Sequence, residues 1–221
     1  MIDELAQLYP PFGLSVRAGD ITLRVFRDSD LPAYAELVSS PIFADDDAPH
    51  VFAWTQWDPA KRLTDSLQFQ WAARSSVGPE DWQLPLGVFE GERLVGSQDL
   101  SAKHFAKLGV VGSGSYLRLD AQGRGIGTLM RQMVLVLAFD HLGAVRAESS
   151  AVVGNAASLA VSRHCGYALD GFEVSLNGER RVELQRVAVT PETFVRPDVE
   201  VTVSGVTPEL RTLLGAVPAG S

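Results

Sequence analysis

Leu117-Arg118-Leu119-Asp120-Ala121-Gln122-Gly123-Arg124-Gly125-Ile126-Gly127-Thr128-Leu129 decides the fold. The stretch predicts the end of a strand, a turn with three alternate glycines, and the start of a helix that continues to about residue 142. Glycines let a ligand approach the backbone closely, and the amides and dipole of the first helical turn favour an anion. Because Arg124 adds a positive charge, the turn predicts a phosphate or pyrophosphate site. The alternative is a tight strand-to-helix turn in which glycine is needed for steric reasons alone.

The spacing of the glycines separates two classes of phosphate ligand. The sequence contains no G-x-x-x-x-G-K-[ST] motif, which disfavours a Walker-type nucleoside triphosphatase. A dinucleotide fingerprint has the spacing G-x-G-x-x-G after a buried parallel strand, whereas here the spacing is G-x-G-x-G after a polar, glycine-rich strand. Glu148 follows Gly123 by 25 residues, close to the sequence position at which an acidic residue of that fingerprint binds the adenosine ribose. An NAD(P)-dependent oxidoreductase that uses Glu148 therefore remains an alternative.

Hydrophobic periodicity on both sides of this loop predicts a mixed α/β domain. Alternating apolar residues predict strands over 14–17, 21–26, 84–89, 94–100, 110–119 and 145–152, and a last hairpin turning at Asn177 and Gly178. Helices are predicted over 28–39, 59–75, 126–142, 155–164 and 208–214. In the second of these helices, Leu63, Leu67 and Trp71 recur every fourth residue and predict its buried face.

Composition excludes several classes of partner. The 221 residues carry 19 Lys and Arg against 27 Asp and Glu, a net charge of −8, so nucleic acid is not an expected partner. A single cysteine, Cys165, excludes an internal disulfide and a cysteine-based zinc site, and it favours a reducing cytoplasmic location. The longest apolar run, residues 133–139, is too short to span a membrane, and the acidic start is not a signal peptide. The four histidines show no metal-ligand spacing, so no metal is expected.

Two motifs resemble the GNAT superfamily of N-acetyltransferases. Gln122–Gly127 is similar to the family signature Q/R-x-x-G-x-G/A, and Asn155–Tyr167 is similar to its block N-x-x-S-x(7)-G-F/Y. The motifs occur in the family order, and the predicted elements over residues 21–190 follow the family order too. Within the family, the second block and the strand Gly114–Leu117 resemble the bacterial ribosomal-protein N-terminal acetyltransferases.

The resemblance implies a fold and a domain organisation. The expected fold has a central, mostly antiparallel sheet that splays at the cofactor cleft, with helices on both faces. A single domain is expected over 1–221, with an N-terminal arm at 1–19, a core at 20–190 and a peripheral extension at 191–221. The oligomeric state is expected to be a monomer or a homodimer.

The resemblance also implies acetyl-CoA as cofactor and coenzyme A as product. The backbone of Tyr116, Leu117 and Leu119 would pair with the pantetheine arm, the amides of the glycine-rich loop would hold the pyrophosphate, and Asn155 would contact the arm. The hydroxyl of Ser158 would lie near the coenzyme sulfur, with Tyr167 as the alternative hydroxyl. The expected cofactor-binding residues are Leu117, Leu119, Gln122, Gly123, Arg124, Gly125, Ile126, Gly127, Thr128, Asn155 and Ser158.

The implied reaction is transfer of an acetyl group to a primary amine, either a protein N-terminus or a small molecule. Such a transfer needs an uncharged amine, a donor for the developing oxyanion and a proton for the leaving thiolate. A backbone N–H near Tyr116 would serve the oxyanion, and Asp99 and Glu148 are the candidate bases. Relatives often carry a glutamate on the strand before the loop, where this chain has Gly112–Ser115, and this departure favours deprotonation through water.

The acceptor is expected to enter beside a loop rich in aromatic residues at 45–57. Its carboxylates Asp45, Asp46 and Asp47 would attract a cationic amine. A non-catalytic acyl-CoA-binding module is the remaining alternative.

Overall fold

A mostly antiparallel sheet forms the centre of the molecule, seen in a computed structural model that describes residues 4–43, 55, 58–177 and 179–216. Its strands are β1 Ser15–Ala18, β2 Ile21–Val25, β3 Asp81–Glu90, β4 Arg93–Lys103, β5 Val110–Gly112, β6 Ser115–Leu117, β7 Arg146–Val152, β8 Ala168–Asn177, β9 Arg180–Val189 and β10 Thr202–Ser204. They lie in the order β10-β1-β2-β3-β4-β5-β7-β9-β8, and β6 pairs with β4. The pair β5 and β7 is parallel, and the other strand pairs are antiparallel.

Helices cover both faces of this sheet. They are α1 Glu4–Leu8, α2 Leu31–Ser39, α3 Pro59–Ser75, α4 Phe105–Leu108, α5 Ile126–Val136, α6 Ala156–His164 and α7 Pro208–Leu213. The apolar stripe of α5 packs into the main core with β1, β2 and β4, while α2 joins a smaller core around Phe26 and Phe89 on the other face. The predicted fold class is confirmed.

The orientation of α3 differs from the prediction. Leu63 and Leu67 are half-buried, Trp71 is 49% exposed, and the face turned to the protein carries Ser66 and Gln70. The pattern of apolar residues placed the stripe one position away, because this helix covers a cavity, which Ser66 and Phe69 line, rather than a closely packed core.

The predicted strand at 110–119 is divided into β5 and β6. Ser113 N–H still donates to Glu148 O across to β7, at 3.0 Å. After this bond β6 follows β4, through the pair Ser97 and Tyr116, while β7 follows β9. A gap therefore opens between β6 and β7, which is the expected splay of the sheet.

The segment after Thr190 is not peripheral, contrary to expectation. β10 pairs with β1 and extends the sheet. Leu210 and Leu214 are fully buried in the main core, and Trp82 Nε1 donates to Leu214 O at 2.9 Å. The apolar spacing of this short segment was too brief to reveal that burial.

Within the described residues, no helix combines the length and the apolar character that crossing a membrane requires.

Candidate active site

A cleft of about 520 Å³ opens where β6 and β7 separate. Its walls come from the splayed strands, the start of α5 and the start of α6. Eight of the expected cofactor-binding residues line it, namely Leu117, Gln122, Gly123, Gly125, Gly127, Thr128, Asn155 and Ser158. The two sequence motifs therefore meet at one cavity.

The free edge of β6 faces this cleft. Arg118 N–H donates to Val95 O and Asp99 N–H donates to Gly114 O, so the backbone groups of the even-numbered residues 114–118 point at β4. By the same alternation, the N–H of Leu117 points into the gap. Two expectations are corrected, because Tyr116 directs its backbone to β4, and Leu119 N–H donates to Pro41 O at 2.9 Å.

The glycine-rich loop forms the N-terminal end of α5. Gly123 and Gly125 have φ values of 71° and 82°, a region that only glycine adopts readily, so these two positions need glycine for the turn. The first intrahelical bond here runs from Leu129 N–H to Gly125 O, which leaves the amides of residues 126–128 without an acceptor in the helix. Ile126 contributes an amide only, because its side chain is buried in the core. This end of α5 suits an anion.

Two polar side chains of the loop are bound to other parts of the protein. Gln122 Nε2 donates to Ile42 O at 2.8 Å and to Leu117 O at 3.0 Å, so it fixes the loop to the end of β6. Arg124 forms an ion pair with Glu90, which raises the pKa of the guanidinium group, and its side chain does not line the cleft. In the cleft, the groups suited to an anion are therefore the backbone amides of this loop rather than the Arg124 side chain.

The second motif forms the opposite wall. Asn155 Oδ1 accepts a hydrogen bond from Ser158 N–H at 3.0 Å, which confirms the predicted helix cap. Ser158 lies one turn into α6 and lines the cleft. The cap thus holds a hydroxyl-bearing residue at a fixed place in the wall.

A second cavity of about 310 Å³ lies on the other face of the sheet, beneath α2 and α3. The two cavities share the residues Gly114, Ser115 and Tyr116. A group bound in one cavity can therefore meet a group bound in the other at β6.

Asp99 is a carboxylate in the wall of this second cavity. It accepts hydrogen bonds from Gln83 Nε2, at 2.9 Å, and from Gly114 N–H. Burial raises the pKa of Asp99 above the ordinary carboxyl value, although these hydrogen bonds and the charge of Arg131 act in the opposite direction. A carboxyl group with a raised pKa, in a cavity, has the character of a general base.

Two hydroxyl groups in the wall of this second cavity were not found from the sequence. Tyr34 and Tyr116 are hydrogen-bonded to each other in the same wall, and burial raises the pKa of both phenols. Both phenols therefore stay neutral and provide a polar floor. Their position on α2 and β6 depends on tertiary packing, which sequence spacing does not reveal.

The structure contradicts two of the other candidate catalytic residues. Glu148 lines neither cavity and is paired with Arg146 at 2.7 Å, in a network that includes Asp170. Tyr167 is buried in the main core and also lines neither cavity. Along β7, Glu148 alternates away from Ser149, which is the residue that reaches the cleft.

The aromatic loop that was expected to receive the acceptor carries three predicted site residues, Asp45, Asp46 and Asp47. All three lie outside the described residues. Among the described residues, no group of three or more His, Cys, Asp or Glu side chains is arranged to hold a metal ion.

Arg131 is a cleft residue that the sequence patterns did not single out. It lines the cleft from α5 and is 3% exposed. A signal was present, because Arg131 and Gln132 together interrupt the apolar run between Leu129 and Phe139.

Comparisons with solved structures agree with this architecture. Mycobacterium smegmatis RimJ, in complex with CoA-disulfide, is 23% identical with a TM-score of 0.67, over 81% of this chain and 86% of that chain. RimL, a ribosomal L7/L12 α-N-protein acetyltransferase in complex with coenzyme A, is 17% identical with a TM-score of 0.65, over 80% and 97%. Spermidine N-acetyltransferase from Vibrio cholerae, in complex with CoA and spermine, is 15% identical with a TM-score of 0.61, over 79% and 97%. These likenesses show the fold.

The family follows from a match along most of the chain. A family model described as acetyltransferase (GNAT) domain matches residues 20–168. The dehydrogenase alternative is wrong, because the sheet is mostly antiparallel rather than doubly wound and Glu148 does not reach the cleft. The chain belongs to the GNAT family of acetyltransferases, whose cofactor is acetyl-CoA.

Proposed function

We propose that this protein transfers an acetyl group from acetyl-CoA to a primary amine that binds in the second cavity. The observation that carries the proposal is the meeting of the two cavities at Gly114–Tyr116, with an anion-binding loop in one and the carboxylate of Asp99 in the other. Acetyl-CoA supplies an activated thioester carbonyl. The amides of residues 126–128 would hold its pyrophosphate, and the edge of β6 would pair with its pantetheine arm.

A residue of the two cavities serves each step of this acetyl transfer. Asp99 accepts a proton from the attacking amine, whose nitrogen forms a bond to the carbonyl carbon while the carbon–sulfur bond breaks. The N–H of Leu117, on the free edge of β6, donates to the oxyanion that develops. Ser158 relays a proton from solvent water in the open cleft to the departing thiolate, so that its own hydroxyl group is restored.

The wall of the second cavity favours an acceptor with a single positive charge. Two carboxylates lie in its described part, and Asp65 is already paired with Lys61. The remaining surface includes Phe69 and Pro85, which suit an apolar group beside the amine. A peptide N-terminus or a small monoamine therefore fits this wall better than a polyamine, which needs several carboxylates.

Thermal unfolding with saturating acetyl-CoA, CoA, NAD and NADP tests the cleft assignment. A ligand at about 100 times its Kd adds about 2.7 kcal/mol to the free energy of unfolding. Acetyl-CoA and CoA are expected to raise the Tm, and the two nicotinamide cofactors are not. Thiol release with panels of peptides, monoamines and spermidine then tests the acceptor. Binding of acetyl-CoA without transfer to any amine would instead support a binding module.

A further inference from the structure

One side chain joins the two strands that separate at the cleft. Arg131 Nη2 donates to Ser115 Oγ at 3.1 Å, and Arg131 Nη1 donates to Ser149 Oγ at 3.2 Å. Ser115 is on β6 and Ser149 is on β7, which are paired to different neighbours in the described sheet. Ser149 Oγ in turn donates to Ser113 O at 2.8 Å, at the closed end of the gap.

Stability explains this buried cation only in part, through the Tyr167 ring, whose centroid lies 5.8 Å from the guanidinium carbon, and through its charge, which acts on Asp99 at longer range. None of the ion pairs found among the described residues includes Arg131, and its Nε has no hydrogen-bond partner. Burying a charged group costs several kcal/mol, and well-packed apolar residues commonly serve stability as well or better. The guanidinium group is therefore explained by what it does at the cleft.

The location of Arg131 along α5 indicates which part of the ligand lies above it. A helix rises by about 1.5 Å per residue, so Arg131 is about 7–8 Å further along the helix axis than Ile126, at the end of the glycine-rich loop. With the pyrophosphate on that loop, the pantetheine arm runs from there toward Gly114. Arg131 then lies below the reactive end of the arm.

We propose that Arg131 is a positioning residue that clamps Ser115 to Ser149, and so sets the width of the gap between β6 and β7 that receives the pantetheine arm. A guanidinium group suits this task because its planar fork directs two donors at fixed angles. If the gap already has the right width in the free protein, an extended ligand can bind without the entropy cost of ordering the two strands. The proposal rests on the proposed function for the identity of the arm.

Calorimetric titration with two ligands tests the clamp without relying on turnover. One ligand is acetyl-CoA, and the other is adenosine 3′,5′-bisphosphate, a nucleotide fragment that lacks the arm. Arg131→Met is expected to raise the Kd of acetyl-CoA about tenfold, which corresponds to about 1.4 kcal/mol. The Kd of the fragment should change less than twofold. The double variant Ser115→Ala with Ser149→Ala, which keeps Arg131, should show the same selective loss.

Arg131→Lys separates the fork from the positive charge. Lysine keeps the charge but lacks the rigid fork that directs two donors at fixed angles, so Arg131→Lys should resemble Arg131→Met. Recovery of full affinity by lysine would overturn the clamp, and so would equal weakening of both ligands or of neither.

Separate control experiments address the folding of the variants and the identity of the ligand. If Arg131→Met fails to fold, the double serine variant decides alone. Gln132→Ala is the matched control, since Gln132 is buried on the same helix and donates to Val195 O instead. Failure of the wild type to bind acetyl-CoA would refute the proposed function rather than the clamp.

Discussion

Asp99 combines an enclosed position with access to the second cavity, which is what a general base for a cationic amine needs. We expect Asp99→Asn to lower kcat/KM by about 10²- to 10⁴-fold, the usual contribution of a general base. Asp65→Asn is the control, because Asp65 lies in the same wall but is paired with Lys61. A loss of similar size in both variants would mean that the cavity only requires negative charge.

The pH dependence of the wild type follows from the same residue. Asp99 must be ionised to accept a proton, and burial raises its pKa, so kcat/KM should climb through a range above that of an exposed carboxylic acid. The groups that face Asp99 are Gln83, the amide of Gly114 and, at longer range, Arg131. In Asp99→Asn this limb should vanish from the rate profile measured between about pH 4 and 9. A limb that persists unchanged would assign the titration to another group.

Stability should respond to Asp99 in the opposite sense from activity. A carboxyl group whose pKa is raised in the folded state stabilises that state below its unfolded pKa, and this stability is lost as the pH rises through the folded pKa. At neutral pH, urea denaturation of Asp99→Asn should therefore give a free energy of unfolding no lower than that of the wild type. A marked loss of stability would show that the carboxylate serves the fold.

Two glycines of the phosphate loop should respond differently to the same substitution. Gly125 has a φ of 82°, so Gly125→Ala strains the turn and should cost about 1–2 kcal/mol of stability. Gly127 lies inside α5, where an added Cβ would be 3.6 Å from the Val161 side chain, an ordinary van der Waals contact. Gly127→Ala should therefore increase the free energy of unfolding, by at most about 1 kcal/mol. Urea denaturation measures both changes. Two variants that are destabilised alike would contradict the assignment of the strain to Gly125.

Binding should separate these effects from stability. Both glycines line the cleft, so each added methyl group narrows the approach of a phosphate to the amides. Gly127→Ala is thus expected to be more stable than the wild type and yet to bind CoA more weakly, by isothermal titration. Unchanged affinity in this variant would place the pyrophosphate elsewhere.

At the scale of elements, local patterns were sufficient for most of the sheet and for the two motifs. The alternation in β3 and β4, the periodicity of α5 and the cap at Asn155 each depend on neighbours in sequence, and the structure confirms them. The division of 110–119 into β5 and β6 was not predictable, because it depends on which partner strand each half follows. The predicted roles of Glu148 and Arg124 failed because of their pairing in the folded chain. Arg124 is paired with Glu90, which is distant in sequence. Glu148 lies on the same face of β7 as its partner Arg146, turned away from the cleft.

The whole molecule places its stability and its chemistry in different regions. Leu210, on α7, is fully buried in the main core. The same segment is also held by Leu214 O, which accepts a hydrogen bond from Trp82 Nε1. Both cavities, in contrast, lie at β6. Leu210→Ala should cost about 2–5 kcal/mol, because it leaves a cavity in packed surroundings. Under conditions in which the variant is still folded, its Kd for CoA should equal that of the wild type, since no contact in the cleft is altered.

Urea denaturation and CoA titration below the onset of unfolding check this separation, with Leu108→Ala as the control. Leu108 is 56% exposed, so the same truncation there should change the free energy of unfolding by less than about 0.5 kcal/mol. A drop in CoA affinity for folded Leu210→Ala would mean that the C-terminal segment supports the cleft through the sheet. A small stability loss would mean that α7 is attached loosely, and that the core is completed without it.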